Sequence, residues 1–263
     1  MKLQTYISSF LLGIIFLGNL GCDPGDGEKD IVTQVEDEFS INMVEALGTE
    51  RQLSLELKSV ELEPCLNSTI DRAVVTQSNS VTLLLNGIIP ASDCNPGLAP
   101  AFSVGNAGTL QNGTYDFMVT IRNTVENGGK LIVKSDQYEI NMLSSYGIII
   151  ENELMYRIPA NTIWGYYAYD NQQLIGDAPA SFINDLEILT TPVNLKEGYY
   201  GHFNASNNEI ELVNPPQKNH IGYFFYRFNG SENDLASLLE NHRNNNAPES
   251  IEFVVYTAEG KVF

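Results

Sequence analysis

The first twenty-two residues constrain the rest of the chain most, because they decide the solvent in which it folds. Lys2 supplies a short positive n-region, and Ile7 to Leu20 is apolar except for Ser8, Ser9, Gly13, Gly18 and Asn19. A membrane-spanning helix needs roughly 20 predominantly apolar residues. This run is shorter and reads as the h-region of a secretory signal. The remaining chain is therefore expected to fold outside the reducing cytosol, where disulfides persist.

The segment closes on Leu17-Gly18-Asn19-Leu20-Gly21-Cys22, a small residue followed by cysteine. Here it resembles the signal of bacterial lipoproteins, although Asn19 and Leu20 differ from the residues usual in that family. The resemblance implies a signal peptide over 1–21, cleavage before Cys22, and diacylation of the Cys22 sulfur. Two or more acyl chains, at about 0.8 kcal/mol per buried CH₂, hold a protein on a membrane without spanning it. An uncleaved signal anchor, or a secreted protein with an incidental Cys22, is the alternative. Residues 22–30, Cys22-Asp23-Pro24-Gly25-Asp26-Gly27-Glu28-Lys29-Asp30, contain turn formers and charges with nothing apolar to bury, the composition of a flexible tether. Their acidic, lysine-containing character is similar to the segment behind the lipidated cysteine of some surface-exposed lipoproteins. The expected location is the cell envelope, lipid-anchored to the outer membrane.

Charge excludes one class of partner. The full chain carries a formal net charge of −19, and removing residues 1–21 takes away only Lys2, leaving 13 basic against 33 acidic side chains. Such a surface repels nucleic acid phosphates and anionic headgroups, so no nucleic acid partner is expected. With Cys22 given to lipid, Cys65 and Cys94 remain. An even remainder in an oxidising compartment suggests a disulfide closing a loop of about 30 residues, worth about 3 kcal/mol. There is no Cys-x-x-Cys for redox work, and no histidine lies near either cysteine for zinc.

Residues 31–142 read as strands. Leu53-Ser54-Leu55-Glu56-Leu57-Lys58 alternates apolar with polar, Val81 to Leu85 is a buried run, and Tyr115, Phe117, Val119 and Ile121 share one face. Asn127-Gly128-Gly129 reads as a turn between strands. The stretch from Cys65 to Gly108, with Pro90, Pro96, Gly97 and Pro100, reads in part as a long irregular loop stapled by the disulfide. Leu110-Gln111-Asn112-Gly113-Thr114-Tyr115 resembles the tyrosine corner of immunoglobulin-like domains, in which the tyrosine hydroxyl bonds back to the preceding loop. Mainly β structure with an N-terminal immunoglobulin-like β-sandwich is the expected class.

A boundary is placed near Leu143, and residues 143–263 read as a smaller α+β domain. Ile148 to Ile150 and Leu154 to Ile158 read as a leading hairpin or linker strands, and Ile163 to Tyr169 as a strand with aromatics on both faces. Pro179 followed by Phe182, Ile183, Leu186 and Leu189 predicts a helix. Ser231 and Asp234 ahead of Leu235, Leu238 and Leu239 predict a second. With strands at Gly198–Phe203, Glu209–Val213, Ile221–Phe228 and Ile251–Tyr256, the order predicts two helices on one face of a sheet, a ferredoxin-like variant.

The chain carries no nucleophile elbow, P-loop, dinucleotide fingerprint, zincin motif or calcium loop, so neither metal nor cofactor is expected. Its three histidines, His202, His220 and His242, fall on separate elements. Tyr166, Tyr167, Tyr169, Tyr199, Tyr200, Tyr223, Tyr226 and Trp164 concentrate in the second domain. Exposed rings of this kind stack on sugars or anchor protein partners, and Trp164, Tyr166 and Tyr199 are the candidate stacking residues. Two functional expectations result. One is a non-catalytic, membrane-anchored binding or structural module with a glycan or protein partner. The other is a cell-envelope hydrolase using a carboxylate pair among Asp185, Glu187 and Glu197.

Overall fold

A computed structural model describes residues 35–246 and 250–263. The expected signal peptide, Cys22 and the expected tether lie outside the described residues. The strands β1 (Phe39–Ala46), β2 (Gln52–Cys65), β3 (Thr69–Gln77), β4 (Ser80–Ile89), β5 (Pro96–Gly108), β6 (Gly113–Ile121), β7 (Val125–Val133) and β8 (Gln137–Met142) are followed by β9 (Ile148–Ile150) and β10 (Leu154–Tyr156). They form two sheets, ordered β5-β2-β1-β9 and β10-β8-β7-β6-β4-β3. One buried cluster draws on both, with Ile41, Met43, Leu55 and Leu57 from the first sheet and Leu83, Phe117, Val119 and Leu131 from the second. The period-two alternation read in Leu53, Leu55 and Leu57 is thus the inward face of a strand.

Three local expectations change. The turn expected at Asn127-Gly128-Gly129 lies inside β7; the chain reverses instead at Arg122-Asn123, whose φ values of 49° and 54° are those a two-residue hairpin turn requires. Asn127 is fully buried and exchanges hydrogen bonds with the Tyr146 backbone, while a side chain at Gly129 would strike the Asn141 carbonyl at 2.6 Å. The stretch expected as a loop is largely β3, β4 and the long β5. Pro96 and Pro100 fit there because β5 is an edge strand whose outer amides need no partner. Cys65 and Cys94 do form a disulfide, which joins the end of β2 to the approach to β5. Finally, Ile148–Ile150 and Leu154–Tyr156 are not a hairpin. β9 pairs parallel with β1, and β10 pairs antiparallel with β8 on the other sheet.

The expected hydroxyl bond of Tyr115 is present, donated to the Gln111 carbonyl at 2.9 Å.

Beyond β10 come β11 (Thr162–Tyr169), α1 (Gln172–Ile175), α2 (Ala178–Ile188), β12 (Thr190–Thr191), β13 (Gly198–Tyr199), β14 (Phe203–Ser206), β15 (Glu209–Leu212), β16 (His220–Phe228), α3 (Glu232–Asn245) and β17 (Glu252–Thr257). A four-stranded sheet runs β12-β16-β11-β17, every neighbour antiparallel, so two β-α-β units interleave. Both longer helices cover one face. Phe182 and Leu186 of α2 and Leu235 and Leu239 of α3 share a core with Ile163, Phe224, Phe253 and Val255. The predicted start of α3 holds, since Ser231 and Asp234 close a reciprocal capping box. The other face is covered by a small sheet of β13, β14 and β15, through Phe203, Ala205, Ile210 and Leu212 against Trp164, Tyr166 and Ala168.

A buried charge cluster ties these layers to the first two sheets. Glu45, at the end of β1, takes Arg157 at 2.8 Å and Arg51 at 3.2 Å, and accepts the Tyr138 hydroxyl at 3.0 Å. Arg51 also donates to the carbonyls of Ile158 and Ala258. Residues 35–263 accordingly form one contiguous unit.

Candidate functional site

The stacking residues expected from sequence are core residues. Trp164, Tyr166 and Tyr199 are 2%, 7% and 6% exposed, so none offers a ring face to a ligand. Two-sided burial explains it: the sheet carrying Trp164 and Tyr166 has helices on one face and β13–β15 on the other, so aromatics on both faces are consumed by packing. Trp164 stacks on Tyr256 with ring centroids 5.8 Å apart. The Tyr166 hydroxyl donates to Glu252. Tyr199 is a fastener, its hydroxyl donating to the Met43 carbonyl at 2.9 Å and accepting from the Asn42 amide at 2.7 Å.

Burial holds the protons of these phenols. Tyr200 is pushed up to about 12 by desolvation, and desolvation also raises Tyr138, Tyr166 and Tyr199 above the ordinary tyrosine value near 10. A phenol whose folded pKa exceeds its unfolded pKa contributes stability that is fully present below about pH 10 and is lost as pH rises toward 12. In an alkaline titration followed by phenolate absorbance, a late class of tyrosines is expected to ionise together with loss of the fold. A single class ionising near pH 10 while the fold persists would refute the assignment.

The three histidines have separate partners, and so do the three carboxylates; only His242 and Asp185 meet. His202 lies 2.9 Å from the Glu45 carbonyl and beside the Trp164 ring, and His220 stacks on Tyr169. His242 meets Asp185 at 2.9 Å, clasping α3 to α2, with its ring edge-on to Phe182. Glu187 accepts the Tyr226 hydroxyl, and Glu197 accepts the Asn207 backbone amide. Asp185, Glu187 and Glu197 therefore each have a separate partner. Among the described residues no group of three or more metal-ligating side chains could hold an ion.

The structure instead opens a cleft of about 520 Å³ beside β16. Local chemistry creates it. β12 pairs with β16 only at Arg227 and Phe228, then stops at Pro192, which has no amide hydrogen to continue the ladder. The chain diverges through Val193 and Asn194, leaving the β16 edge from His220 to Tyr226 without a hydrogen-bonded neighbouring strand. Ile183 of α2 and Ile210 of β15 supply apolar walls, and Ile221, Tyr223, Phe225 and Tyr226 line the floor. Tyr167 lies across the sheet over Gly222, where any Cβ would meet its ring at 2.1 Å, so the glycine is what lets that ring reach the cleft.

The rim is acidic. Burial raises Tyr223, with the charge of Glu211 adding to it; burial also raises Tyr226, helped by Glu187. Glu209 lines the cleft. Tyr167, Tyr223 and Tyr226 belong to the aromatic group read from sequence, but Phe225 and the open edge itself were not foreseen. Their only sequence signal is Pro192 immediately after Thr190-Thr191, opposite a nine-residue strand.

No family model, curated protein or solved structure matches this chain.

Proposed function

We propose that this chain is a non-catalytic cell-envelope lipoprotein, moored to the outer membrane through acyl chains on Cys22, whose C-terminal layers present the cleft beside β16 to a glycan or protein partner. The cleft carries this reading: it combines partly exposed aromatic rings, apolar walls and an unpaired strand edge, the composition of a binding surface. The resemblance of the first twenty-two residues to a lipoprotein signal supports the mooring. For the first two sheets we take an immunoglobulin-like reading, supported by the Tyr115–Gln111 bond and the shared core. For the last layers we take a ferredoxin-like one, supported by the interleaved strand order.

Labelling cells with an alkyne palmitate tests the mooring. Wild-type protein is expected to carry the label and to pellet with membranes, whereas Cys22→Ser is expected to lose both; an unlabelled wild type overturns it. Glycan arrays and envelope extracts test the cleft. Ligands retained by wild type are expected to be lost by Tyr223→Ala/Phe225→Ala, and retention by that variant would move the site elsewhere.

A further inference from the structure

We propose that the occupant of the cleft is an extended polypeptide segment bearing lysine or arginine, which adds to β16 as one more strand. This rests on the binding reading above and names its ligand.

The backbone argues for strand addition. The Phe228 amide bonds to the Asn161 carbonyl on the β11 side, at 2.7 Å, while the next amide, Asn229, bonds to the Leu189 carbonyl on the β12 side, at 2.9 Å. Along a strand this direction alternates. The backbone groups of Ile221, Tyr223 and Phe225 therefore point away from β11, into the cleft, where no strand is hydrogen-bonded to them. Natural edges are usually blunted by charge, proline or a bulge. Ile221-Gly222-Tyr223-Phe224-Phe225-Tyr226 has no charge and no proline, and its pairing with β11 is in continuous register. An edge left in that state is suited to receive a strand through main-chain hydrogen bonds, with pockets for alternate side chains giving specificity.

Charge sets the chemistry of the guest. Glu209 and Glu211 stand on the β15 side and Glu187 on the α2 side, and among the described residues none of the three has an ion-pair partner. Arg227 stands only at the closed end, opposite Thr191 where β12 ends. Apolar residues at alternate positions would face α2 and meet Ile183 and Tyr226, while cations at the intervening positions would face β15 and meet Glu209 and Glu211. A second copy of this chain is a poorer guest, because it brings the same acidic rim.

The probe is a fluorescent seven-residue peptide alternating lysine and valine, titrated into the full-length protein in detergent micelles. Its controls are a fully N-methylated copy, which keeps every side chain but cannot donate to a strand edge, and a copy with glutamate in place of lysine. The lysine peptide is expected to saturate the anisotropy signal and to slow hydrogen exchange at the amides of Ile221, Tyr223 and Phe225. Both controls are expected to bind at least about tenfold more weakly. Tyr223→Pro removes a donor that the fold does not use and is expected to abolish binding. The exposed double variant Glu209→Lys/Glu211→Lys is expected to reverse the charge preference without touching the core. Equal binding of the N-methylated copy overturns strand addition, and equal binding of the glutamate copy overturns the cationic guest. Protection of the same amides that grows with protein concentration and no peptide would assign the edge to a second copy and overturn the proposal. If no peptide binds but a glycan or protein is lost on Tyr223→Ala/Phe225→Ala, the strand fails while the cleft stands; if that variant loses nothing, the cleft itself fails.

Discussion

Glu45→Ala is expected to lower the unfolding free energy by about 3–5 kcal/mol, the cost of breaking a buried ion pair by removing one partner. Glu45 is 1% exposed and sits between Arg51 and Arg157, whose side chains are only 19% exposed. Without the carboxylate, two largely desolvated guanidiniums face each other across a hole, and the Tyr138 hydroxyl loses its acceptor. Domains of ordinary stability hold about 5–15 kcal/mol in total, so the loss is a large share. Denaturant unfolding followed by fluorescence of Trp164, the only tryptophan, measures it. Glu45→Gln keeps the shape and some of the hydrogen bonds and is expected to lose less. A loss below about 1 kcal/mol for Glu45→Ala, the range of an exposed pair, would show that the cluster is not the joint described above.

Phe182→Ala is expected to cost a similar amount, about 3–5 kcal/mol, by a different mechanism. Phe182 is fully buried, its ring 4.6 Å from Phe253, 5.4 Å from His242 and 5.6 Å from Phe224. Truncation leaves a cavity under α2 at the point where that helix grips the sheet. Because Ile183 and Glu187 stand on the same helix at the cleft, peptide affinity is expected to fall with stability. Phe182→Leu, closer in volume, is expected to recover most of both. Ile188→Ala, on the same helix but 80% exposed, is expected to stay within about 0.5 kcal/mol of wild type. Equal losses at Phe182 and Ile188 would refute the packing argument.

What was legible in sequence was whatever a local rule decides. Alternation revealed the inner face of β2, the Ser231–Asp234 pair revealed the start of α3, and the cysteine count revealed the disulfide. What was not legible depends on neighbours remote in sequence. Pro100 reads as a loop until β5 is known to be an edge, and Asn127-Gly128-Gly129 reads as a turn until close approach to β8 and the Tyr146 backbone account for it. Trp164 and Tyr166 read as ligand rings because no local pattern announces that β13–β15 will cover their face. The cleft is the same case in reverse: the aromatics of β16 were visible, but that its edge stays unpaired follows from where β12 stops.

The parallel pairing of β1 with β9 has a mechanical consequence. Tension arriving from the N-terminal side enters at Val35 and pulls β1 backward from Phe39, while tension arriving from the C-terminal side of β9 pulls that strand forward from Ile150. Opposed pulls on two parallel neighbours load their hydrogen bonds together, in shear, instead of opening them one after another. With β2 gripping the other side of β1 along its full length, that first strand is held on both edges and resists being peeled away.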